Sequence, residues 1–199
     1  MAGPSLQIVW FKRDLRIQDH EPLVRAAAAG SVLPLYIVEP LLWRQPDVSG
    51  RQFDFLRESL AELTDALADL GQPLVLRTGE AVAVLEDLRR SHRVAALWSH
   101  EETGNAWTFA RDRAVGAWAG EHGIPWHELP QTGVVRRLRN RDGWARRWQR
   151  RMRPAKPGRS AIGLLLGELR LDLPELRLVD DVALAAELAG DDRLLLVLE

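Results

Sequence analysis

The run LQIVWF at positions 6–11 constrains this chain more than any other stretch. It is short, apolar and rich in β-branched and aromatic residues, with no polar alternation. That is the pattern of a strand covered on both faces in a parallel sheet. Lys12, Arg13, Asp14 and Arg16 follow at once, so charge gathers at the strand's carboxyl end, the ligand-binding edge of open α/β sheets.

The segments that follow alternate between helix and strand signals. DHEP at 19–22 offers an N-cap, an acidic first turn and an early proline for a helix over 23–29, ended by Gly30. Positions 32–38 form a second apolar run with Pro34 inside it, so regular pairing is expected to begin after that proline. A loop is predicted over 41–48, with Ser49 or Gly50 as the next helix start. Phe53, Leu56, Leu60, Leu63, Leu67 and Leu70 recur every three or four residues, an amphipathic helix stopped by Gly71. A strand over 74–76, a helix over 80–90 and a strand over 95–98 come next. A polar loop over 99–105, a helix over 106–121 and a fifth strand over 124–129 complete the series. Strands separated by helices imply parallel pairing with right-handed crossovers, hence a doubly wound α/β sheet with helices on both faces.

The 199 residues have room for one ordinary domain and an appendage. We expect an α/β domain over 5–133, a basic linker over 134–159 and a Leu-rich acidic tail of irregular structure over 160–199. The net charge of -1 conceals this unevenness. With no cysteine, disulfides, thiolate metal sites and cysteine nucleophiles are excluded. No basic segment leads into an apolar core at the start, and no apolar run approaches the roughly 20 residues that span a bilayer. A cytoplasmic protein is expected. The 8 tryptophans, against 1 tyrosine, read as packing residues.

Three stretches hold candidate chemistry. The loop FKRDLR at 11–16 lacks the glycines with which a backbone cradles phosphate, which argues against a P-loop or a dinucleotide fingerprint. Arg13, Asp14 and Arg16 read instead as a salt-bridged brace at a domain boundary. In the loop HEETGN at 100–105, carboxylates and a carboxamide suit an amide-bearing heterocycle, while Glu101 and Glu102 could equally cap the following helix. Arginines interleaved with Trp144 and Trp148 can neutralise phosphates and stack on bases, or serve as a connector to another domain. His20, His92, His100, His122 and His127 have no metal-ligand spacing, so no metal is expected, and no nucleophile elbow is present.

IVWFKRDLR at 8–16, DHEPL at 19–23, YIVEP at 36–40 and SHEETGN at 99–105 resemble the N-terminal α/β domain of the DNA photolyase and cryptochrome family. The resemblance extends from about Leu6 to about Met152. It implies a Rossmann-like five-stranded parallel sheet, for which the strand order 3-2-1-4-5 is expected. It also implies a larger helical domain, in which FAD would drive light-dependent repair of DNA, and an antenna chromophore in the α/β domain. That chromophore would be methenyltetrahydrofolate, 8-hydroxy-5-deazaflavin or a flavin. The helical domain does not fit after Met152, so the chain reads as truncated before the FAD site, with no catalytic residue of its own and no repair activity alone. DNA is expected as a partner through the parent helical domain.

Carried over position by position, the resemblance places the chromophore pocket at Phe11, Lys12 and Arg13, then at Tyr36, Val38 and Glu39. Gln52 and Phe55 continue it on the next helix, and His100, Glu101, Glu102 and Asn105 in the loop after the fourth strand. Two other readings stand beside the antenna domain: a non-catalytic module docking to DNA or a helical partner, and a small nucleotide-binding enzyme on the same sheet.

Overall fold

The computed structural model describes residues 5–136, 138 and 140–152; the expected tail over 160–199 and the end of the expected linker lie outside them. The chain runs β1 (Leu6–Phe11), α1 (Glu21–Ala29), β2 (Ser31–Val38), α2 (Pro40–Trp43), α3 (Gly50–Ala68) and β3 (Val75–Thr78). It continues with α4 (Ala81–Ser91), β4 (Val94–His100), α5 (Ala106–Glu121), β5 (Trp126–Leu129) and α6 (Trp144–Met152). The five strands form one parallel sheet in the order β3-β2-β1-β4-β5, as the sequence predicts.

Alternation along the central strands creates two cores. Val9 and Phe11 face one side with Val32, Tyr36 and Val38, where α1 and the α3 stripe of Phe53, Leu56, Leu60, Leu63 and Leu67 cover them. Ile8 and Trp10 face the other side with Leu33, Leu35 and Ile37, beneath Leu85 and Leu88 of α4 and Val115 and Trp118 of α5. Every residue of β1 is buried, which explains the lack of polar alternation. Truncating a fully buried aromatic such as Phe11 to alanine would cost roughly 3–5 kcal/mol.

Three local expectations are corrected. Pairing in β2 begins at Ser31, with Pro34 opposite Val9, rather than after the proline. The neighbour on the other flank, β3, pairs only from Leu35 onward, so Pro34 lies where that flank has no ladder to break. The expected loop over 41–48 opens with the helix α2, because Pro40 at its first position is pre-set for helical φ. Finally, β4 is longer than its apolar run: Ser99 and His100 belong to the strand, opposite Glu128 and Leu129. Their side chains are buried through hydrogen bonds, which hydropathy does not register.

Candidate functional site

All five strands end on one edge, and α5, which follows β4, starts there. Two groups of buried charge meet at this edge. In the first, Asp14 has both oxygens engaged. Its Oδ1 accepts the Lys12 amide at 2.9 Å, and its Oδ2 lies 2.8 Å from His20 Nε2 and 2.5 Å from His100 Nδ1. Burial alone would raise the Asp14 carboxyl, but hydrogen bonds from His100 and His20 outweigh it and hold the group well below its ordinary value. Burial pushes the His20 imidazole down, against the pull of Asp14.

His20 is also the N-cap of α1, its Nδ1 accepting the Leu23 amide at 3.1 Å. That bond requires the tautomer with hydrogen on Nε2, aimed at Asp14. Asp14, His20 and His100 have the composition of a cation site, yet Nε2 in this tautomer has no lone pair for a metal. The triad is a brace between β1, α1 and β4. The expected cluster of Arg13, Asp14 and Arg16 is therefore corrected: Asp14 pairs with histidines, Arg13 reaches Glu102 at 3.4 Å, and Arg16 holds the Gln18 and Asp19 carbonyls.

The second group centres on Arg111 of α5. Its Nη1 donates to Glu39 Oε2 at 2.8 Å, and its Nη2 to Glu102 and to Asp112 Oδ1, the latter at 2.8 Å. These carboxylates raise its already high pKa despite burial. The guanidinium stacks over Trp10, 4.8 Å from the ring centroid. Lys12 Nζ lies over the same ring at 5.0 Å and near Asp112 and Glu128, at 3.5 and 3.9 Å. Arg136 closes the group from the loop after β5, bonding Glu128 at 3.0 and 3.1 Å and the Glu102 carbonyl.

A cavity of about 290 Å³ opens beside Arg111 at the ends of β1 and β2. That is the lower end of the range for ligand pockets, roughly 300–1,000 Å³. Trp10, Trp43, Leu56 and Phe55 give it apolar walls, and Phe55, 72% exposed, stands at its rim. Three residues of its lining each have a buried polar atom without a hydrogen bond: Lys12 Nζ, which has Asp112 and Glu128 as ion partners, Glu39 Oε1, an acceptor, and Trp43 Nε1, a donor. Burial raises the Glu39 carboxyl to about 7, although Arg111 pulls it down. Burial, with Glu39 and Glu102 nearby, also raises the Tyr36 hydroxyl, which stays protonated.

Of the residues carried over from the resemblance, Phe11, Lys12, Arg13, Tyr36, Glu39, Gln52, Phe55 and Glu102 line this cavity. The other four lie elsewhere. Val38 is buried in the α1/α3 core. His100 and Glu101 border a second, smaller cavity of about 60 Å³. Asn105 caps α5 by accepting the Thr108 amide and donates to Asp47, at 2.9 and 3.1 Å, which lines the main cavity. Sequence reasoning missed Arg111, Trp43 and Asp47. For Arg111 a signal existed: a helix that follows a strand starts at the carboxyl edge, so a charged residue in its first two turns lies near the site.

The DNA photolyase family model matches residues 7–149, most of the chain. The chain belongs to the DNA photolyase family. Among its relatives, a chloroplastic/mitochondrial cryptochrome DASH of Oryza sativa subsp. japonica is 33% identical over 110 residues, 51% of this chain and 19% of that protein. The crystal structure of a class III photolyase from Agrobacterium tumefaciens superposes with a TM-score of 0.62 at 28% identity, over 72% of this chain and 30% of that one. An archaeal photolyase of Sulfolobus tokodaii, solved with two FAD molecules, shares the fold, with a TM-score of 0.59 at 21% identity over 81% of this chain and 41% of that one. The photolyase-family chain thus spans about a fifth of the length of the curated relative it matches. Among the described residues no helix is long and apolar enough to cross a membrane.

Proposed function

We propose that the cavity at the ends of β1 and β2 binds a planar, light-absorbing heterocycle, so that this α/β domain collects light for DNA repair or blue-light sensing. The observation that carries the reading is the aromatic-walled cavity at the strand ends, with the Glu39 carboxyl and the Trp43 indole among its lining groups. A ring with an N-H and a C=O on its edge suits these two groups, the N-H donating to the Glu39 carboxyl and the C=O accepting from the Trp43 indole N-H. Methenyltetrahydrofolate, 8-hydroxy-5-deazaflavin and flavins all have such edges. Trp10, Trp43 and Phe55 offer faces for the ring, and the Arg111 network fixes Glu39 in place. The cavity accommodates one ring system, so a ribityl, nucleotide or glutamate extension would leave past Phe55.

The test is an absorption and fluorescence titration of the purified chain with the three chromophores in turn. One of them is expected to bind saturably with a shifted band, and Glu39→Gln and Trp43→Phe to weaken it about tenfold each, the equivalent of roughly 1.4 kcal/mol. No spectral change with any of the three would sink the reading.

A further inference from the structure

Residues 136–153 hold nine arginines and one acid, Asp142. The arginines at the sheet edge, Arg111 and Arg136, are each paired with carboxylates. Those of α6 are not: among the described residues Arg146, Arg147 and Arg150 are exposed and make no ion pair. The helix is nevertheless held in a fixed place. Trp144 Nε1 donates to the Gly133 carbonyl at 3.0 Å, and the Trp148 indole lies so close on Gly133 that a methyl group there would collide with it. The Gly133 loop is in turn pinned by Arg136 to Glu128 and Glu102. With Trp144 and Trp148 one turn apart on the inner side, helical spacing turns Arg146 and Arg150 outward and sets Arg147 on the flank.

We propose that α6 is a sequence-independent contact for a nucleic-acid backbone, with Arg146, Arg147 and Arg150 meeting phosphates and the exposed parts of Trp144 and Trp148 stacking on bases. Charge complementarity selects this partner. Arginines one turn apart are separated by about 6 Å along the helix axis, which covers about two phosphates of a strand spaced about 3.4 Å apart. Guanidinium is the side-chain group best shaped for phosphate. A membrane surface fits less well, because an interfacial helix needs a wide free apolar face and here Trp144 and Trp148 rest on Gly133 with more than half of each covered. A protein partner fits less well because it would have to match a run of nine arginines and one acid with carboxylates, whereas a phosphate backbone carries a negative charge at every nucleotide. The contact is independent of light and of the chromophore cavity.

Fluorescence anisotropy of the full chain with labelled, undamaged 20-nucleotide single strands and duplexes, in the dark, tests this. Between 50 and 200 mM NaCl binding is expected to weaken about 40-fold for duplexes and about 20-fold for single strands if three phosphates are neutralised. The variant R146Q/R147Q/R150Q should bind at least tenfold more weakly at 50 mM and lose most of the salt dependence, with unchanged circular dichroism. R146K/R147K/R150K should keep both within about threefold. Absence of saturable binding at 50 mM NaCl overturns the proposal, as does equal binding by the glutamine variant. Partition onto phosphatidylserine vesicles without oligonucleotide binding overturns it in favour of a lipid surface.

Discussion

Arg111 holds together three carboxylates, two of which, Glu39 and Glu102, border the cavity, and its removal would leave these and Asp112 buried with one shared cation fewer. Arg111→Met is expected to destabilise the fold by about 3–5 kcal/mol in urea unfolding, because breaking a buried pair strands the charge that remains. Glu39 sets a pH dependence of definite sign. Its folded value of about 7 exceeds its ordinary value of 4.5, so the folded state holds the proton more tightly. The stability this contributes is complete below about pH 4.5 and is lost as pH rises through 7. Relative to Glu39→Gln, the wild type should lose on the order of 2 kcal/mol between pH 5 and 8; parallel pH profiles would refute the assignment. His20 acts in the opposite sense: its lowered value makes its contribution present above about 6.5 and lost as pH falls below. Neither effect was legible in the sequence. The charge of Asp14 could be read, but its partners come from α1 and β4, 6 and 86 residues away, and only the sheet order brings them together.

Elements whose pattern is set by burial were legible. LQIVWF is buried throughout and reads as a buried strand; the α3 leucine stripe is the face that meets the sheet. What hydropathy missed are polar ends that gain burial through hydrogen bonds, such as Ser99 and His100 in β4, and a proline whose tolerance depends on where the neighbouring strand begins. Half of the candidate edge was likewise legible, because Phe11 to Arg13 and Tyr36 to Glu39 end the two central strands. Trp43 was not, since it sits on a helix that a single turn of sequence barely announces. The seat of α6 yields a prediction at this scale. Gly133→Ala would push Trp148 off the loop, so amide exchange over 144–150 should speed up at least tenfold while β1 amides keep their protection. Unchanged exchange in α6 would show that the glycine contact does not hold it.

At the scale of the molecule, both cores are built, among the described residues, by elements from β1 to β5, with α6 laid against the loop beyond. A chain ending at Met152 is therefore expected to melt cooperatively within a few degrees of the full chain, followed by circular dichroism; a broad, non-cooperative melt would mean that later residues complete a core. The chain belongs to the DNA photolyase family, and the proposed function gives the cavity of its α/β domain a chromophore to hold. The most direct measurement is a crystal structure of the chain with whichever of the three chromophores binds most tightly in solution. The ring should lie between Trp43 and Phe55, its polar edge within hydrogen-bond distance of Glu39 Oε1 and Trp43 Nε1. A ring bound elsewhere on the domain, with those two atoms still unpaired, would contradict the proposed function.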